Sequence, residues 1–170
     1  MEIPEFGIKR ENEVRCDGGC AVIFDPVAQK YAVNKWSHGL LGLISGGVDD
    51  SEDIQEGVLR EVEEESGLHD FLYVEKIAEA MTHYHNIVKK LNRVGKATDF
   101  LIILRSRDQK PLKLEAHEKF TLDWVSAQEI LDNWAERNDD HGADHWIYFL
   151  KKSVARAREL GYDTTSEITT

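Results

Sequence analysis

The run Arg60-Glu61-Val62-Glu63-Glu64-Glu65 constrains this chain more than any other feature. Each helical residue turns the chain by about 100°. With Glu61 as origin, Glu64 falls about 60° to one side and Glu65 about 40° to the other. Three carboxylates therefore share one arc, and Glu63 lies on the far side. Ile54, Val58 and Val62 line the adjoining edge, so one face packs into a core while its neighbour stays acidic. Like charges at these spacings repel, and crowding raises the pKa of carboxylates. A solvated acidic face is the ordinary outcome of such a run. A hard divalent cation, held by carboxylate oxygens beside substrate phosphates, is the outcome that offsets the repulsion.

The flanking residues favour the cation. Gly46 is followed after five residues by Glu52, and after seven more by Arg60-Glu61. Beyond Glu64-Glu65 come one free position, Gly67 and the aliphatic Leu68. The segment Gly46–Leu68 resembles the Nudix box at every specified position, with Val62 and Leu68 in the aliphatic places. That resemblance implies a loop, a helix and a loop that bind Mg2+ or Mn2+. It implies Glu64 and Glu65 as metal ligands, and Glu61 as a ligand or as the base that prepares the attacking water. Glu52 shapes the site through Arg60, and Gly46 offers its backbone carbonyl. The implied activity is pyrophosphohydrolysis of a nucleoside diphosphate linked to another group. The chain departs from the commonest pattern in its loop, with Ile44-Ser45 before Gly46-Gly47 and Asp50-Ser51 before Glu52. Gly57 stands where alanine is common, at a helix cost of about 1 kcal/mol, and is expected to permit close packing.

Outside the box, Glu118 stands six residues before Trp124. This stretch resembles the asymmetrical diadenosine tetraphosphate hydrolases, and the likeness nominates Glu118 as an extra acidic residue, with Glu115 as its rival. The second half is also similar to Nudix modules associated with aminoacyl-tRNA synthetases. Dinucleoside polyphosphates are thus the first substrate expected. ADP-ribose, nucleotide sugars and nucleoside triphosphates are alternatives, as is a non-catalytic nucleotide-binding module. Substrate contacts are expected from Lys89, Arg93 and Lys96 for phosphates, from His83, and from Tyr84 or Trp36 for a base. His141 and His145 have the spacing of a zinc pair but lack a third ligand.

Apolar runs and turn residues place strands at Cys20–Phe24, Tyr31–Asn34, Phe71–His83, Phe100–Leu104 and Phe120–Val125. Residues 1–17 suggest a lead-in strand or an interface arm. A helix is expected over Glu52–Ser66, closed by Gly67. Ser126 and Glu129 form a capping box for a second helix to about Trp134, and Asp144–Leu160 reads as a third, ending at Gly161. Residues 87–98 read as a basic loop. This order suggests an α/β fold, an α/β/α sandwich with a mixed sheet between helices. Trp124, Trp134 and Trp146 are expected to pack the C-terminal helices on the sheet. Residues 1–162 are expected to form one Nudix hydrolase domain, and residues 163–170 a disordered tail.

The net charge of −11 disfavours an extended nucleic-acid footprint and suits a cation site. No membrane segment or secretory leader is read, and Cys16 and Cys20 are expected to be reduced. These features suggest a cytoplasmic enzyme with a small-molecule nucleotide substrate, and a homodimer is allowed.

Overall fold

The computed structural model describes residues 2–168. The elements are β1 (Glu5–Gly7), β2 (Val14–Arg15), β3 (Gly18–Asp25), β4 (Lys30–Trp36), β5 (Leu41–Gly42), β6 (Ile44–Gly47), α1 (Ile54–Ser66), β7 (Phe71–Asn86), β8 (Leu91–Leu104), β9 (Phe120–Val125), α2 (Ala127–Ala135) and α3 (Asp144–Glu159). Among the described residues the strands join in one mixed sheet with the path β1-β7-β8-β3-β4-β5. β2 adds to β8, β6 to β3 and β9 to β4. No helix among these residues is long and apolar enough to cross a membrane.

Successive side chains of a strand point to opposite faces, and β3 shows the consequence. Ala21 and Ile23 pack with Val58 and Val62 of α1, while Cys20, Val22 and Phe24 pack with Ile130 of α2 and Phe149 of α3. The result is the expected α/β/α sandwich, with a core on each face of the sheet. Ser126 and Glu129 form the capping box of α2. Asp53 caps α1, so this helix begins two residues later than expected and Glu52 stands outside it. Gly57 packs tightly, since a β-carbon there would lie 2.8 Å from Val48.

Residues 87–98 are not a loop. β7 continues to Asn86, turns at Lys89-Lys90, and pairs antiparallel with β8 from Leu91 onward. Charge suggested a loop, but both edges of β8 are satisfied: β7 lies on one side, and β2 and then β3 on the other, with Val14 opposite Arg93 and Gly18 opposite Ala97. Backbone pairing outweighs the polarity of side chains that reach solvent. The lead-in strand is two short strands, β1 and β2, parallel to β7 and β8.

The start of the tail also differs from expectation. Asp163 is buried, accepts from the Tyr31 hydroxyl at 2.6 Å, and accepts from the amides of Thr165 and Ser166. Ile168 packs on the α3-side core. An aspartate that closes its own turn and meets a buried phenol orders a polar segment without an apolar run. Residues 169 and 170 lie outside the described residues. Trp134 is buried and donates to the Leu41 carbonyl at 2.7 Å, as a core tryptophan should. Trp124 lies instead on the α1 side, under the Arg107 guanidinium.

One feature of the sheet positions the site. The first half of β3 pairs with β6, but only Phe24 and Asp25 pair with β4. β4 then diverges to pair with β5 and β9. Beyond the point of divergence, Asn34 of β4 meets Glu65 in the last turn of α1.

Candidate active site

The box helix is seated by glycines. A β-carbon on Gly19 would lie 2.5 Å from Val58, and one on Gly46 would lie 2.3 Å from the carboxyl carbon of Glu61. The backbones of β3 and β6 thus meet side chains of α1 directly, which fixes the acidic arc against the edge of the sheet.

Arg60 organises the solvent side of that arc. Its Nε and Nη2 donate to the two Glu52 oxygens at 2.9 and 3.2 Å. Its Nη1 donates to Glu61 at 2.9 Å and Glu64 at 3.2 Å. The guanidinium beside Glu52 holds that carboxyl below its ordinary range. Burial raises the pKa of Glu61, and Arg60 opposes the rise.

Glu65 is the buried member, at 6% exposure. Its pKa is pushed up to about 9, first by burial and then by hydrogen bonding to Glu118. Asn34 of β4 donates to its Oε2 at 3.0 Å. Glu118 arrives by a defined route. Gly67 closes α1 with a left-handed φ of 75°, and the chain following β8 then crosses the helix end. Gln109 donates to the Ser66 carbonyl and the Lys113 amide to the Glu64 carbonyl, both unpaired within the helix. Glu118 folds back on the Glu115 amide at 2.7 Å, so Glu118, not Glu115, faces Glu65.

A cleft of about 170 Å³ opens from this pair. Asn34, Ser45, Glu65, His117 and Glu118 line its polar part, and Trp36, Phe120 and Trp146 its aromatic part. Gly42 lies between the two indoles, where a β-carbon would be 3.5 Å from Trp146 and 3.8 Å from Trp36. Phe120 packs edge-on to Trp36 with centroids 5.0 Å apart.

The donor set fits a hard divalent cation. Two carboxyls approach across Glu65 and Glu118 in a place where burial favours a shared proton, and a cation can replace that proton. Glu61 and Glu64 share one guanidinium group, so positive charge already sits between them. Among the described residues no three acidic, histidine or cysteine side chains stand ready-made around one ion position. Binding by this set would therefore require Arg60 to release Glu61 and Glu64 while Glu52 retains it.

The other expected contacts separate. Tyr84 and Arg93 are cross-strand partners, and Arg93 donates to the Cys16 sulfur at 2.7 Å. That sulfur lies 3.9 Å from a β-carbon placed on Gly47, so this group borders the start of the box loop. Lys89 sits at the distal hairpin turn, and Lys96 pairs with Glu79 at 3.3 Å. His83 is buried between Glu5 and Glu13 and serves the N-terminal arm. Its strand was expected to end there, but the arm covers it. The sequence reading missed Asn34 and Trp146 as cleft residues. Asn34 had a signal, because a polar side chain follows Ala32 on a buried face of β4. Trp146 had none that separates a cleft wall from a core residue.

A family model described as NUDIX domain matches residues 20–147. No curated protein matches the chain. Among solved structures, the Ap4A hydrolase of C. elegans is 16% identical, with a TM-score of 0.60 over 85% of this chain and 98% of that one. The NUDIX domain of Shewanella oneidensis NrtR, complexed with ADP ribose, is 16% identical with a TM-score of 0.57, over 88% and 90%. A NUDIX hydrolase from Nitrosomonas europaea is 21% identical with a TM-score of 0.52, over 82% and 91%. The chain belongs to the NUDIX domain family.

Proposed function

We propose that this chain hydrolyses a phosphoanhydride bond in a nucleoside diphosphate linked to a second group, and that dinucleoside polyphosphates are the first class to test. One observation carries the reading: the Glu65–Glu118 pair and the two indoles open into the same cleft. One end suits a cation with phosphate oxygens and the other suits a base. The structural likeness to an enzyme described as an Ap4A hydrolase supports the order of testing.

Glu61, Glu64, Glu65 and Glu118 would hold Mg2+ or Mn2+; the Gly46 backbone stands against Glu61, while its carbonyl lies toward Gly18 of β3. The bound cation would supply positive charge for the phosphoryl oxygens and lower the pKa of water. Glu61, lifted in pKa by burial, is suited to take the proton of the attacking water. A bond then forms between water oxygen and phosphorus, the bridging P–O bond breaks, and the leaving phosphate takes the electron pair. Glu52 would retain Arg60 through its two hydrogen bonds while Glu61 and Glu64 turn from the guanidinium to the cation. Arg93 and Tyr84, in the group that borders the box loop at Gly47, are the first phosphate contacts to test, ahead of Lys89 at the hairpin turn, Lys96 paired with Glu79 and buried His83.

The test is a hydrolysis panel with Mg2+, run on wild type and Glu65→Gln. It holds diadenosine tetraphosphate, ADP-ribose, UDP-glucose and nucleoside triphosphates. Cleavage by wild type that falls at least about 100-fold in the variant supports the reading. Nucleotide binding without cleavage of any substrate supports a non-catalytic module instead.

A further inference from the structure

We infer that Asn34 is a positioning residue of the cation site: its amide N–H orients Glu65, and its carbonyl oxygen accepts a hydrogen bond from a water molecule on the bound cation. This rests on the reading that the acidic cleft binds a divalent cation.

Asn34 is only 4% exposed, and it sits on β4 where that strand has left β3. Its Nδ2 donates to Glu65 Oε2 at 3.0 Å, whereas its Oδ1 is buried and has no partner. A buried carbonyl without a donor is rare, because desolvation is then uncompensated. Turning the amide over does not remove the problem. Turned over, the amide would only exchange one orphan for another, leaving Nδ2 buried without an acceptor. With Nδ2 donating to Glu65, the carbonyl is left for a donor brought by what the cleft binds.

The location selects the donor. Asn34 lines the same cleft as Glu65 and Glu118, and the neighbouring Ser45 belongs to the strand that leads into Gly46. Water on a divalent cation is polarised and donates strongly, and Mg2+ keeps several such waters. Asn34 therefore contributes to the outer shell twice, through a ligand and through a water, as residues behind metal ligands commonly do.

The test measures Mn2+ affinity by electron paramagnetic resonance, ADP-ribose affinity by calorimetry, and the melting temperature of metal-free protein. It uses wild type and Asn34→Leu, which keeps the branched outline without polar atoms, with Asn34→Ala measured in parallel in case the bulkier leucine variant does not fold. The expected result is about a tenfold weaker Mn2+ affinity, from loss of one favourable contact set, with a metal-free melting temperature no lower than wild type. Unchanged Mn2+ affinity with a lower melting temperature would show a purely structural residue and overturn the proposal. Unchanged Mn2+ affinity with weaker nucleotide binding would assign the carbonyl to substrate and overturn it as well. If wild type itself binds no Mn2+, the cation reading fails before the role of Asn34 is reached.

Discussion

Gly46 and Glu61 are in direct contact: a β-carbon on Gly46 would stand 2.3 Å from the carboxyl carbon of Glu61 and 2.7 Å from one of its oxygens. The glycine is required by space and not by backbone angle. Gly46→Ala must push Glu61 off its present direction. A displacement near 1 Å in a reacting group costs about 100-fold in rate. The expected outcome is a fall of that order in kcat, with a small change in melting temperature because the fault is local. Steady-state kinetics on the cleaved substrate, beside a thermal melt, checks it. An unchanged kcat would remove Glu61 from the reaction.

Arg60 bonds Glu52 through two nitrogens in a fork that lysine cannot reproduce. Arg60→Lys is expected to lower kcat about tenfold, the size of one charge-assisted bond. Its stability effect should be small, since the Arg60 side chain is 39% exposed and solvent screens the pair. The double variant with Glu52→Gln should cost little more than Arg60→Lys alone, because both break one linkage. Additive losses in kcat would show independent roles.

The acidic arc was legible from spacing, because helical geometry alone places Glu61, Glu64 and Glu65 together and Glu63 apart. The capping box at Ser126 was legible for the same local reason. What escaped was set by distant pairing. The basic stretch near Arg93 became a strand only because β7, β2 and β3 supply partners for its backbone, and a local window does not contain them. His83 looked accessible until Glu5 and Glu13 closed over it from the N-terminal arm. Glu118 was nominated by resemblance with Glu115 as rival, and the loop that crosses the end of α1 turns Glu118 toward Glu65.

Asp99 provides a pH test away from the active site. It is fully buried between β8 and α3, accepts from Ser153 at 2.7 Å and from the Cys20 thiol at 3.5 Å, and burial raises its pKa from 3.8 to about 7. The folded state therefore holds this proton to higher pH than the unfolded chain. The folded value lies above the unfolded one, so stability is lost as pH rises from about 4 to about 7 and is then level, at up to about 1.4 kcal/mol per unit. Asp99→Asn should remove that slope. Denaturant unfolding of both proteins between these limits checks it, and parallel curves would exclude Asp99 as the source.

Gly42 separates the indoles of Trp36 and Trp146, with a β-carbon at ordinary contact distance from both, 3.8 and 3.5 Å. Alanine therefore fits, whereas the γ-methyls of valine must enter the space between the rings. If a base occupies that space, Gly42→Val blocks it while leaving the acidic pair untouched. Stacking of a base on an aromatic side chain is worth about 1–3 kcal/mol, so KM for a nucleotide substrate is expected to rise at least about tenfold. Mn2+ affinity should not move, and Gly42→Ala should resemble wild type. Trp146→Ala should raise KM in the same direction by removing one wall, although the neighbouring Trp134, whose ring centroid is 5.5 Å away, will lose packing as well. The valine variant is thus the cleaner probe, since it adds bulk to the cleft without opening the core. A valine enzyme with wild-type KM would place the base elsewhere, and the group of Tyr84, Arg93 and Cys16 beside Gly47 would become the next surface to test.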